Sequence, residues 1–207
     1  LHNRKHSFPT RRSSDLNKAL DFAADLGPAA WSLRPTLSAI VTDPQLVGRS
    51  SAPAVALRLL SAAAPSSDPP IDLWRFAVEG GDVHLRTVAL RMMFRFGTTQ
   101  DAANSHSSDP SESSRWSALG TSLRIAVVSR LSNWPPTDAA ERASWRWLRT
   151  LLGRWGESDR SVRDDVRTWL TDPRSIRPLG TPRPVYQSIN RWLAWQTLAT
   201  TWPDAAA

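Results

Sequence analysis

Helix punctuation constrains this chain more than any other feature. Most of its sixteen prolines and nine glycines fall between segments, roughly ten to twenty residues long, in which apolar side chains recur every three or four positions. That spacing lines one face of an α-helix, and the pattern predicts an all-α fold. Asn17 caps a helix through Leu26 that Gly27-Pro28 ends, and a second apolar stretch over 29–41 is interrupted at Pro35. Asp43-Pro44 reads as a cap followed by a first-turn proline, Ser51 and Pro53 open a helix to about residue 64, and 65–70 is a polar linker.

The plainest helical hairpin comes next. It has a helix over 71–79, a Gly80-Gly81 turn, and Asp82 as cap of a helix to Phe96 that Gly97 closes. A Ser-, Asp- and Asn-rich stretch over 98–113 reads as a loop, and 114–133 as one long helix stopped by Trp134-Pro135-Pro136. Asp138 with Glu141 three residues on forms a capping box for a helix to about Trp155. Ser158 or Ser161 starts another, ended by Asp172-Pro173. A proline-rich loop over 174–184 precedes a last helix over 185–202.

The first sixteen residues stand apart. Residues 6–16, His-Ser-Phe-Pro-Thr-Arg-Arg-Ser-Ser-Asp-Leu, resemble the conceptual translation of a short-read sequencing adapter at every position, and the chain opens on Leu1. Residues 1–16 are therefore read as a non-native, disordered segment, and 17–207 as a single all-helical domain that is a fragment of a longer protein. The full-chain charge of +7 is correspondingly poor evidence for nucleic-acid binding, because setting 1–16 aside leaves 22 basic and 18 acidic groups. What remains is asymmetric: residues 111–207 hold 14 basic and 9 acidic groups against 8 and 9 over 17–110.

A recurrence runs through the middle of the chain. Leu85-Arg86, Ala89 and Met93 are repeated 38 residues later by Leu123-Arg124, Val127 and Leu131, and 39 residues after that by Val162-Arg163, Val166 and Leu170. An apolar residue also precedes each pair by seven positions, at Val78, Trp116 and Trp155. With Asp82 and Asp159 ahead of the first and last copies, the pattern over about 71–170 resembles the second helix of HEAT repeats. The resemblance implies antiparallel helix pairs stacked as a short HEAT-like solenoid, the alternative being an irregular helical bundle.

Little in the sequence points to catalysis. The chain has no cysteine, which removes disulfides, thiolate nucleophiles and cysteine-ligated metals and gives no sign of an oxidising compartment. Beyond residue 16 the histidines are His84 and His106. Glu79, Asp82 and His84 offer oxygen and nitrogen ligands, but they straddle a turn where Asp82 is better explained as a cap. No phosphate loop, dinucleotide-binding fingerprint, nucleophile elbow or zinc-binding His-Glu-x-x-His occurs. Adjacent Asp164 and Asp165 diverge by about 100° on a helix and read as partners of neighbouring arginines. No catalytic residue, cofactor or metal is assigned, and no apolar run is long enough to cross a membrane.

Eleven tryptophans are the unusual feature of the composition. Trp145, Leu148, Leu152 and Trp155 share one helix face, as do Trp192 and Trp195, and both sets read as core. Trp147 lies off that face and reads as an exposed or interface aromatic. Arg142, Arg146 and Arg149 form a stripe roughly opposite the apolar face, and Arg160, Arg163 and Arg167 form another on the next helix. These seven residues are the candidate binding site. The expected function is a non-enzymatic, cytoplasmic scaffold that binds a protein partner. Two alternatives stay open: a nucleic-acid-binding module using the arginines with a stacking tryptophan, similar in architecture to the HEAT-like alkylpurine DNA glycosylases, and an accessory part of an enzyme whose catalytic region lies elsewhere.

Overall fold

A computed structural model describes residues 10–98, 112–133 and 138–171, and side chains over most of that span. Most of the described residues are helical, and none of them is in a strand. They pack as two compact units, divided between Leu73 and Trp74.

In the first unit, α1 (Thr10–Asp25) reaches back to Thr10, inside the segment expected to be disordered. A 3-10 segment over Gly27–Leu33 follows, then α2 (Arg34–Thr42) with Pro35 in its first turn, and α3 (Ala52–Ala63). The break in the 29–41 stretch thus falls just before Pro35, where proline's missing N–H costs nothing. Asp43 does not cap a helix. Its carboxylate accepts from the Gln45 amide at 2.8 Å and closes a turn. α3 packs on α1, on α2 and on the 3-10 segment. Its small apolar face, including Ala52, Ala56, Leu57 and Leu60, is buried, and so many alanines let neighbouring helices approach closely.

In the second unit, α4 (Ile71–Glu79) and α5 (Val83–Thr98) form the expected hairpin. Asp82 Oδ1 accepts from the amides of His84 at 2.7 Å and Leu85 at 2.8 Å, satisfying two otherwise orphaned donors. Gly97 does not close the helix. It is buried inside α5, which continues to Thr98. The expected long helix over 114–133 is broken into α6 (Glu112–Ala118) and α7 (Gly120–Ser129), with a 3-10 turn over Arg130–Asn133. Gly120, at φ +74°, makes the break.

α8 (Ala139–Ser158) begins at Asp138, whose side chain accepts from the Glu141 amide at 2.8 Å. α9 (Arg160–Thr171) is entered through Asp159, not through Ser158 or Ser161. α8 packs most extensively on α5, and also on α6 and α9, while α7 packs on α9. The recurrent apolar positions form the core: Val78, Leu85, Trp116, Leu123, Trp155 and Val162 are all buried. Trp116 stacks on Trp155 with centroids 5.9 Å apart and 23° between planes, and Trp74 meets Phe96 at 5.7 Å. The loops at 98–113 and 174–184, apart from Thr98 and the first residues of α6, the Trp134-Pro135-Pro136 stop and the last helix lie outside the described residues. No helix among the described residues is long and apolar enough to cross a membrane.

Candidate functional site

The seven candidate residues divide into groups. Arg142, Arg146 and Arg149 are exposed on α8 and pair with no other described residue. They span about 10 Å of helix. Two acids adjoin them, Glu141 beside Arg142 and Asp138 one turn before it. Those farther along are engaged elsewhere: Arg124 of α7, only 16% exposed, reaches Asp165 at 2.6 Å and Asp159 at 3.8 Å, and Arg154 takes Glu157 at 2.6 Å. Three arginines against two carboxylates leave the stripe net positive.

The others depart from the expected site. Trp147 is half-buried, with its ring 5.8 Å from Phe94 and the Arg91 guanidinium 5.8 Å from its centroid. At 100° per residue it also lies about 130° round α8 from the stripe, so it offers the arginines no stacking partner. Arg163 folds back on the C-terminus of α8, donating from Nε to the Gly156 carbonyl and from Nη2 to the Glu157 carbonyl at 3.3 Å. Positive charge is favourable there, because helix-end carbonyls lack internal donors. Arg160 and Arg167 are exposed on α9.

Between α5, α8 and the 3-10 turn after α7 lies a small cleft of about 30 Å³, partly open to solvent, that no sequence motif announces. Arg86 and Arg130 stand on one side of it, Glu141, Ser144 and Trp145 line the other, and Leu90 and Leu148 form its apolar wall. The Gly80-Gly81 turn positions both arginines. Arg86 Nη2 donates to the Gly81 carbonyl at 3.2 Å, and Arg130 Nη2 donates to the Glu79 carbonyl. The turn must be tight, because a Cβ on Gly81 would lie 2.5 Å from the Ala77 carbonyl oxygen.

Two like charges share this cleft at some cost. Burial first, and then the neighbouring Arg86 charge, pull Arg130 below the ordinary arginine value, while Glu79 pulls the other way. Arginine stays protonated all the same, so the repulsion persists, offset in part by Glu79. Among the described residues, Arg86 Nε is buried and has no hydrogen-bond partner.

The sequence carried one signal for the cleft. Ser144 interrupts the apolar face of α8 between Glu141 and Leu148, and it is a buried polar residue, 5% exposed. A polar side chain at a core position asks for a polar neighbour. Asp82 caps α5, as its place in the sequence suggests.

Fold and site together define the class: an all-α protein carrying an arginine-lined cleft beside an arginine face. No protein-family model matches the chain, and no curated protein or solved structure is significantly similar to it.

Proposed function

We propose that this chain is a non-enzymatic helical module, acting in the cytoplasm, that recognises an acidic protein partner through the arginine face of α8. The observation that carries this reading is the pairing pattern. Arg142, Arg146 and Arg149 are exposed and without partners among the described residues, while nearby Asp159, Asp165 and Glu157 are held by Arg124 and Arg154. Electrostatic recognition also suits a surface on which, among the described residues, Phe22 and Ile125 are the exposed large hydrophobics. The 38- and 39-residue recurrence of buried positions supports a HEAT-like stack as the scaffold. Zero cysteines favours a reducing compartment.

A protein partner is preferred to nucleic acid because Trp147 is occupied by Phe94 and Arg91, away from the stripe. The test is fluorescence anisotropy of the full chain with a labelled glutamate-rich peptide and with labelled DNA and RNA. The combined Arg142→Gln, Arg146→Gln, Arg149→Gln variant is expected to weaken peptide binding about tenfold, with helicity unchanged by circular dichroism. Preferential binding of nucleic acid, or peptide binding indifferent to the triple substitution, sinks the reading.

A further inference from the structure

We propose that the Arg86–Arg130 cleft is the receptor for one carboxylate side chain of the acidic peptide segment that the arginine face of α8 attracts, so the inference rests on the reading above. The two sites are neighbours on one helix. Trp145, which lines the cleft, lies three residues from Arg142 and four from Arg149, the spacings that place helix residues side by side. A segment lying along the stripe therefore passes the mouth of the cleft.

The chemistry of the cleft selects its occupant. Arg86 and Arg130 each spend Nη2 on a backbone carbonyl, of Gly81 and of Glu79, which fixes two guanidinium groups at the wall of the cleft. Planar donor sets of this kind match the two oxygens of a carboxylate. An anion between the guanidinium groups also offsets their mutual repulsion. Glu141 sets the opposite limit. With its carboxylate the cleft balances two positive charges against one negative, which suits a monoanion better than a phosphate carrying a second charge. A nucleic-acid backbone presents chiefly acceptors and negative charge, whereas a peptide also brings N–H donors, which the Ser144 hydroxyl can meet. The cavity of about 30 Å³ holds roughly two water-sized atoms, room for the head of one carboxylate side chain and far too little for a cofactor. Leu90, Leu148 and Trp145 would cover its methylenes.

The experiment uses the full chain and a labelled glutamate-rich peptide with one leucine after its central glutamate, alongside the same peptide with that glutamate changed to glutamine. Anisotropy titrations compare the native chain with Arg130→Gln and with the triple stripe variant, circular dichroism reporting the fold of each. The inference expects Arg130→Gln to weaken binding about tenfold or more, and to abolish the preference for the central glutamate. Binding that the stripe variant loses but a folded Arg130→Gln keeps overturns the cleft as receptor and leaves the proposed function standing. Binding that Arg130→Gln loses but the stripe variant keeps overturns the proposed function and retains the cleft. Binding of DNA or RNA in place of both peptides overturns the two together. Should Arg130→Gln fail to fold, the native chain's discrimination between the two peptides decides: equal affinities overturn the inference.

Discussion

Gly97 shows how much one missing methyl can settle. A Cβ at this position would run into the six-membered ring of Trp116, which is itself fully buried and stacked on Trp155. Two effects oppose each other in Gly97→Ala. Helix propensity favours alanine by up to about 1 kcal/mol, whereas overpacking a closed core costs about 1–3 kcal/mol. Because the clashing atoms belong to a rigid indole with another indole behind it, the clash should win. Gly97→Ala is expected to destabilise the second unit by about 1–2 kcal/mol, read as a lower urea midpoint at unchanged slope. A midpoint that held or rose would mean that Trp116 has room to shift. From sequence, this glycine sits one step past a run of apolar residues and before a polar stretch, which is how a helix-ending glycine looks too. The distinction lies in what packs on it, and the contact comes from a residue nineteen positions later.

Among the elements, those with their own local signals were legible and those shaped by distant contacts were not. α5 and α8 begin where proposed because Asp82 and Asp138 accept backbone N–H groups of the first turn, an interaction that depends on residues within three positions. The split between α6 and α7 was not legible, because an isolated glycine within an apolar periodic run is tolerated in helices. Gly120 adopts φ +74° with open space where a Cβ would stand. Substitution there therefore meets a conformational penalty alone. Gly120→Ala should cost about 1–2 kcal/mol and Gly120→Asn less, since asparagine tolerates the left-handed region better. Equilibrium denaturation of the two variants checks the order, and equal losses would point to a steric cause. The tie between α7 and α9 was half legible. The acidic pair Asp164-Asp165 announced arginine partners, but only the fold selects Arg124, forty-one residues from Asp165.

At the scale of the whole molecule, a net charge of +7 says little until the ion pairs are drawn. Once they are drawn for the described residues, Arg142, Arg146 and Arg149 on α8 stand without partners, and two arginines forty-four residues apart converge on the Glu79 and Gly81 carbonyls at one turn. No local pattern encodes that convergence, which is why the cleft stayed hidden while the stripe was plain. Association resting on this charge should be salt-sensitive, because exposed charges are screened beyond about 8–10 Å at physiological ionic strength. Raising salt from about 50 to 200 mM should weaken glutamate-rich peptide binding by the native chain several-fold, and weaken it much less in the triple stripe variant. Equal salt dependence in both would place the attraction elsewhere.

The Trp116–Trp155 stack has an optical consequence. Two indoles 5.9 Å apart, inclined by 23° and held inside the protein, have coupled transition dipoles, so their strong ultraviolet absorption splits into an exciton pair of opposite sign. The difference spectrum between the native chain and Trp116→Phe isolates that couplet from the helical background. It gives the docking of α6 against α8 a signal of its own, one that fades when the two helices part even while each keeps its turns.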